Sequence, residues 1–211
     1  MKTENQWRER IVMHGQSLYQ RGLGPGSSGN ISVRLEDGLL VTPTNSCLGR
    51  LDPDRISKIN MQGEHISGDK PSKEAFLHLL MYRQRPQDSA VVHLHSTYSV
   101  AASCCSDLDP DNVLPAITAY YTMKIGKLPL IPYFKPGDKA LAEAVAKVAD
   151  KRHAVLLANH GPVVAGKTLD NAVYAMEELE ETAKLYFLLQ NHKTRFLSPQ
   201  QIEELLEAFP D

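Results

Sequence analysis

The 211-residue chain lacks the features that mark several large classes of protein. It has only three cysteines, Cys47, Cys104 and Cys105, two of them adjacent, so neither a disulfide framework nor a zinc-ribbon spacing is available. They are expected to be small buried hydrophobes in a reducing cytosol. Net charge is nearly absent: 23 Lys+Arg against 25 Asp+Glu leave −2, which offers no electrostatic footprint for nucleic acid or an anionic membrane. There is no long uncharged apolar run and no charged-then-apolar start, so neither a transmembrane helix nor a signal peptide is expected, and the expected location is cytoplasmic. Repeats and low-complexity segments are missing too. What remains is an ordinary globular composition, 42% hydrophobic, sufficient for one α/β domain spanning 1–211.

Helical spacing covers Glu4–Gln20, with Trp7, Ile11 and Leu18 on its buried side, until GLGPGSSGN breaks it. NISVRL and GLLVTP read as strands split by the Glu36-Asp37-Gly38 turn, RISKIN as a third strand, and GEHISGD as a turn. Phe76, Leu77, Leu80 and Met81 predict a helix over 72–83, with Pro71 placed to start it. SAVVHLH is a β-branched strand, and STYSVAASCC behind it suits a helix capped by Ser96. The proline-punctuated LPAITAYY and KLPLIPYF are expected to supply short strands. GDKALAEAVAKVAD is an amphipathic helix, AVLLAN a buried strand and GPVVAG its hairpin partner. A long helix from 169 to about 191 and a shorter one near Ser198 complete the pattern. This alternation predicts a three-layer α/β (α+β) sandwich with a mixed, mostly antiparallel central sheet.

Chemistry concentrates in a few places. His93 and His95 are two apart after an apolar run, so on a strand both imidazoles leave one face. His160 also follows an apolar run and stops at a Gly-Pro turn, the right placement for a third imidazole at the mouth of a neighbouring strand. Three neutral imidazoles form a facial zinc site with one position open, the catalytic rather than the structural pattern. An H-x-H pair is equally compatible with hydrogen-bonded structural histidines, and the residues alone leave both readings open.

Glu74 sits near a helix start, where the dipole favours a carboxylate. It reads either as a dipole-compensating surface residue or as a general acid/base able to contact the metal. His78 shares its helical face and reads as core packing or as a supporting partner. His14, His65, His153 and His192 lie in polar surroundings and are expected on the surface. Three segments have the composition of an anion nest: Ser27, Ser28, Gly29 and Asn30; Thr42, Thr44, Asn45 and Ser46; and Pro71-Ser72-Lys73.

Taken in order, G-x-x-x-G-S-S-G-N-I-S-V-R, L-V-T-P-T, K-P-S-K-E, V-V-H-L-H-S and L-L-A-N-H-G-P resemble the class II aldolase/adducin family nearly end to end. The resemblance implies an α/β sandwich assembled as a homotetramer with active sites at subunit interfaces, acting on a phosphorylated small molecule. It implies one zinc per subunit, or another divalent transition metal, held by His93, His95 and His160, with Glu74 as catalytic acid/base. Ser28, Gly29, Asn30, Thr44, Asn45 and Ser72 fall in the family's phosphate-binding loops.

Two departures are informative. Lys73 stands where an aldolase has a second serine. Thr118-Ala119 follows PAI where fuculose-phosphate aldolase has a catalytic tyrosine, so Tyr120 and Tyr121 become the possible substrate contacts. Within the family the wording is most similar to the branch that decarboxylates 3-oxo-tetronate 4-phosphate. Aldol cleavage and pentulose-phosphate 4-epimerisation are the neighbouring chemistries. A non-catalytic, adducin-like assembly module would be expected to have lost the histidines and Glu74, and all four are present.

Overall fold

The computed structural model describes residues 2–135 and 138–209. Helix α1, Glu4–Gln20, begins with a capping box in which Thr3 and Gln6 satisfy each other's backbone donors. Strands β1 (Asn30–Leu35), β2 (Gly38–Val41), β3 (Ser57–Ile59) and β4 (His65–Ser67) follow as an antiparallel meander. Helix α2 (Ala75–Gln84) leads to β5 (Ala90–His93), α3 (Thr97–Ser103) and α4 (Ala119–Lys124). Then come β6 (Leu130–Ile131), α5 (Lys139–Ala149), the hairpin of β7 (Ala154–Leu157) and β8 (Gly161–Gly166), and helices α6 (Leu169–Leu188) and α7 (Pro199–Ala208).

The strands form one sheet in the order β4-β3-β2-β1-β5-β8-β7-β6, antiparallel throughout except for the parallel β6–β7 edge. The mixed, mostly antiparallel sheet expected from the sequence is therefore present. Period-2 alternation divides its side chains between two layers. Ile31, Val33, Ala90, Val92, Leu156 and Val164 join one core with residues of α1, α3, α4 and α6. Val91, Val155, Leu157, Val163 and Ala165 join the other with residues of α2 and α5. Strands β5, β7 and β8 are buried along their whole length, which explains their continuous apolar runs.

Several expectations are corrected. GEHISGD contains the exposed edge strand β4, which three polar-flanked residues cannot announce by alternation. AYYTMK is helix α4 rather than part of a strand, started by the Thr118 side chain accepting from Tyr121 N. Pro71 does not start α2: it bridges Pro43 while Ser72 N donates to Thr42 O, so the helix begins only after Glu74. Cys104 is exposed and the other two cysteines are half-buried, all three being free thiols. Gly137, at the head of the α5 motif, lies outside the described residues.

Candidate metal centre

The sheet places the site at the carboxyl end of β5, in its middle. Asn30 on β1 is the register partner of His93, so both side chains leave the α2 face, together with Ser32 two residues along. Two glycines let neighbouring chain approach this strand end closely. A Cβ on Gly29 (φ 79°) would stand 2.8 Å from the His93 carbonyl oxygen, and one on Gly161 would stand 2.4 Å from that of Leu94. His160 sits in the β7–β8 turn, between Asn159 in the left-handed region (φ 54°) and Gly161. Asn159 N donates to Ser103 O, tying this turn to α3.

These constraints bring His93, His95, His160 and Glu74 together, with their ligand atoms all within 4.8 Å of one another. The Nε2 atoms of His93 and His95 are 3.1 Å apart, and the three ring centroids are separated by 4.8–4.9 Å. Glu74 Oε1 lies 3.1 Å from His160 Nε2 and Oε2 lies 3.5 Å from His93 Nε2. The His93 side chain is fully buried, whereas those of Glu74 and His160 remain 14% and 15% exposed, so the cluster is open on one side.

The donors suit a divalent ion. His93 Nδ1 lies 2.8 Å from the Pro162 carbonyl oxygen, which can only accept, so Nδ1 carries the proton and Nε2 turns a lone pair on the cluster. Burial lowers His93 below the usual imidazole value and takes His95 down to about 4, with neighbouring imidazoles adding to both effects. Burial alone would raise Glu74. The His93 and His160 rings and the Asn30 amide outweigh it and hold the carboxyl well below the usual carboxylate range. Imidazole nitrogens and an ionised carboxylate converging on one point are a hard-to-borderline donor set, as zinc and similar ions require.

The anion loops converge on the same end of the sheet. Ile31 N donates to Thr42 Oγ1, Thr44 N to Lys70 O and Ser72 N to Thr42 O, which stitches all three segments together. Their free donors are not the ones composition suggests. The Ser28 hydroxyl donates to Pro25 O and the Asn30 amide donates to Glu74 Oε2 at 2.8 Å. The Ser72 hydroxyl accepts from Glu74 N, which leaves its own proton to give, and Asn45 and Lys73 are exposed. Tyr121 is removed from the candidate contacts: its ring is in the core and its hydroxyl is buried without a partner among the described residues. Tyr120, beside it, is 65% exposed.

The profile of the Class II Aldolase and Adducin N-terminal domain matches residues 9–187. The chain belongs to this family. It is 52% identical over 205 residues to a 3-oxo-tetronate 4-phosphate decarboxylase of Escherichia coli K12, covering 97% of each sequence. To an L-fuculose phosphate aldolase of the same strain it is 33% identical, over 97% of this chain and 94% of the other. Among solved structures, YgbL from Escherichia coli superposes with a TM-score of 0.94 at 51% identity, over 97% of this chain and 99% of that one. An L-fuculose 1-phosphate aldolase follows at 0.86 and 30%, over 97% and 96%.

Sequence reasoning left His78 between core packing and a supporting role and missed the places of His14 and Glu180. His78 is fully buried, with Asn30 Oδ1 at 2.5 Å from Nε2 and Ser32 Oγ at 2.7 Å from Nδ1. Burial, with His93 adding to it, pushes His78 down to about 3. His14 is not on the surface but buried against Asp170, whose carboxylate also receives Arg10. Ser96 does not cap α3 with its side chain. Glu180 of α6 does so, accepting from Tyr98 N and Ser99 N at 2.8 Å. No local pattern marks a cap that arrives from 81 or 82 positions away.

Proposed function

We propose that the chain is a zinc-dependent carboxy-lyase that converts a 3-oxo-tetronate 4-phosphate to dihydroxyacetone phosphate and carbon dioxide in four-carbon sugar-acid catabolism. The observation that carries this reading is the convergence of three imidazoles and the Glu74 carboxylate beside three stitched, hydroxyl-rich loops. The half-identical relatives named for that reaction support the choice of substrate.

His93, His95 and His160 would hold the metal, and a divalent ion there supplies a Lewis acid that accepts negative charge at a substrate oxygen. Imidazole donors suit zinc and also manganese, cobalt or nickel. Loss of carbon dioxide leaves the electron pair of the broken bond on C2, next to the C3 ketone, and that carbon needs one proton. Glu74, ionised at rest, would take up a proton from solvent and pass it to C2, since its carboxylate borders the imidazoles and remains partly exposed. A retro-aldol cleavage needs in addition a base for the departing hydroxyl. Decarboxylation does not, which fits the buried Tyr121 hydroxyl and the Thr118-Ala119 substitution. Gly29, Thr44, Asn45 and Ser72 retain free donors for the phosphate, and exposed Lys73 adds a positive charge there.

The homotetramer and the cytoplasmic location belong to the same proposal. Exposed Tyr120 and Tyr174 line a groove with Arg21 and Glu177, a surface a neighbouring copy can cover. No described helix is long and apolar enough to cross a membrane. Light scattering should give four times the mass of the chain. The decisive experiment is carbon dioxide release from the D- and L-threonate- and erythronate-derived 3-oxo phosphates, with and without chelator. Chelator-sensitive release supports the reading. No carbon dioxide from these compounds, together with aldehyde release from L-fuculose 1-phosphate, overturns it in favour of an aldolase.

A further inference from the structure

A chain of buried polar groups runs from the far end of α2 to the Glu74 carboxylate. Tyr82 Oη lies 2.8 Å from Ser32 Oγ, which lies 2.7 Å from His78 Nδ1. On the other side of that ring His78 Nε2 lies 2.5 Å from Asn30 Oδ1, and Asn30 Nδ2 lies 2.8 Å from Glu74 Oε2. Tyr82, Ser32 and His78 are each 0–1% exposed and Asn30 is 3% exposed, so the chain lies out of contact with bulk solvent.

The order of the hydrogens follows from the two ends. A carboxylate only accepts, so Asn30 must present its NH₂ to Glu74 and its carbonyl to His78. His78 therefore carries its hydrogen on Nε2 and accepts at Nδ1 from the Ser32 hydroxyl, which in turn accepts from Tyr82. Reversing the order would set the Asn30 carbonyl against the carboxylate. It would also leave the buried Tyr82 hydroxyl hydrogen with no acceptor among the described residues, each fault costing a full desolvation penalty.

We propose that Tyr82, Ser32, His78 and Asn30 act as a one-directional positioning chain that pins Glu74 by Oε2 and keeps Oε1 turned to the imidazole side as the working oxygen. None of the first three touches the site, so they act through Asn30 and are positioning residues. The register makes the chain possible, because Asn30 and Ser32 share the α2 face of β1 opposite His78 and Tyr82. The chain accounts for a polar stripe, Asn-x-Ser facing His-x-x-x-Tyr, inside an otherwise apolar layer. Its functional meaning rests on Glu74 being the acid/base of the proposed lyase, whereas its geometry does not.

Two measurements test it separately. Nitrogen-15 NMR of the imidazoles in the full chain, metal-free and zinc-loaded, should show His78 with hydrogen on Nε2. Hydrogen on Nδ1 overturns the chain whatever reaction the protein performs. His78→Gln keeps a donor near the Nε2 position for Asn30, while His78→Asn keeps only a group near Nδ1 for Ser32. With metal content and KM equal to wild type, His78→Asn should lower kcat about tenfold or more and His78→Gln about threefold or less. Equal kcat in the two variants overturns the positioning role. If wild type releases no carbon dioxide from either C2 enantiomer of the 3-oxo phosphate, the lyase reading fails and the NMR result alone decides the chain.

Discussion

Two glutamates stand at two helix starts, and their surroundings differ in kind. Glu180, reaching from α6 to the start of α3, accepts from Tyr98 N, Ser99 N and the Ser99 hydroxyl and is 4% exposed. Glu74, at the start of α2, caps nothing on its own helix. It takes one amide hydrogen bond and turns its remaining surface to three imidazoles and solvent. A carboxylate held by backbone donors is a bolt, because every productive lone pair is already engaged. A carboxylate held at one oxygen only is a reagent. Residue type and place at a helix start are shared, so what separates the two roles is the partner set.

The widest gap between them should appear on mutation to glutamine. Glu74→Gln is expected to lower kcat for carbon dioxide release by about 10²- to 10⁴-fold, the usual worth of a positioned acid or base. Metal content should stay with the three histidines, and the thermal midpoint should stay close to wild type. A variant with near-wild-type kcat would remove Glu74 from the chemistry and make it a second bolt.

Glu180→Ala should act the other way, on stability first. It strands two backbone N–H groups and a hydroxyl in a buried place, at about 1–3 kcal/mol for each unsatisfied group. A loss of about 3 kcal/mol or more is expected from urea unfolding of the metal-free chain. Ser96→Ala is the matched control. It alters the residue that local sequence nominates as cap, but its buried hydroxyl has no partner among the described residues, so its removal is expected to be neutral or stabilising. If the two variants swapped magnitudes, the cap assignment at α3 would be wrong.

What was legible in the sequence follows the range of each signal. Strand and helix periodicity is local, so α1, the β1–β2 pair and the β7–β8 hairpin stand where their patterns put them. The candidate metal-binding histidines are readable as a group because each follows an apolar strand, while their ligand role comes from the family resemblance. Features set by distant contacts were not readable: the Glu180 cap, the His14–Asp170 pair and the Tyr82-to-Glu74 chain join residues tens to more than a hundred positions apart. Asn30 shows the limit most clearly. Its loop composition suggests a phosphate donor, yet its amide is already directed at Glu74 by a strand register that only the sheet defines.

Acid should sharpen the Glu74 half of the comparison further. A histidine held at about 3 in the fold and near 6.5 in the unfolded chain binds its proton only in the unfolded state between those values. Stability therefore rises with pH across that window and is lost as pH falls from 6.5 toward 3, by up to about 1.4 kcal/mol per unit for one such group. Glu74, lowered from its ordinary value of 4.5, contributes stability above 4.5 that is lost only below it. The interval from 6.5 to 4.5 thus isolates the buried imidazoles. Urea midpoints of the chelated protein at pH 6.5, 5.5 and 4.5 should fall steeply for wild type and less steeply for His78→Gln. Identical slopes would mean that His78 takes up its proton inside the fold, which would reverse the Ser32 hydroxyl and leave the Tyr82 hydroxyl hydrogen without an acceptor among the described residues.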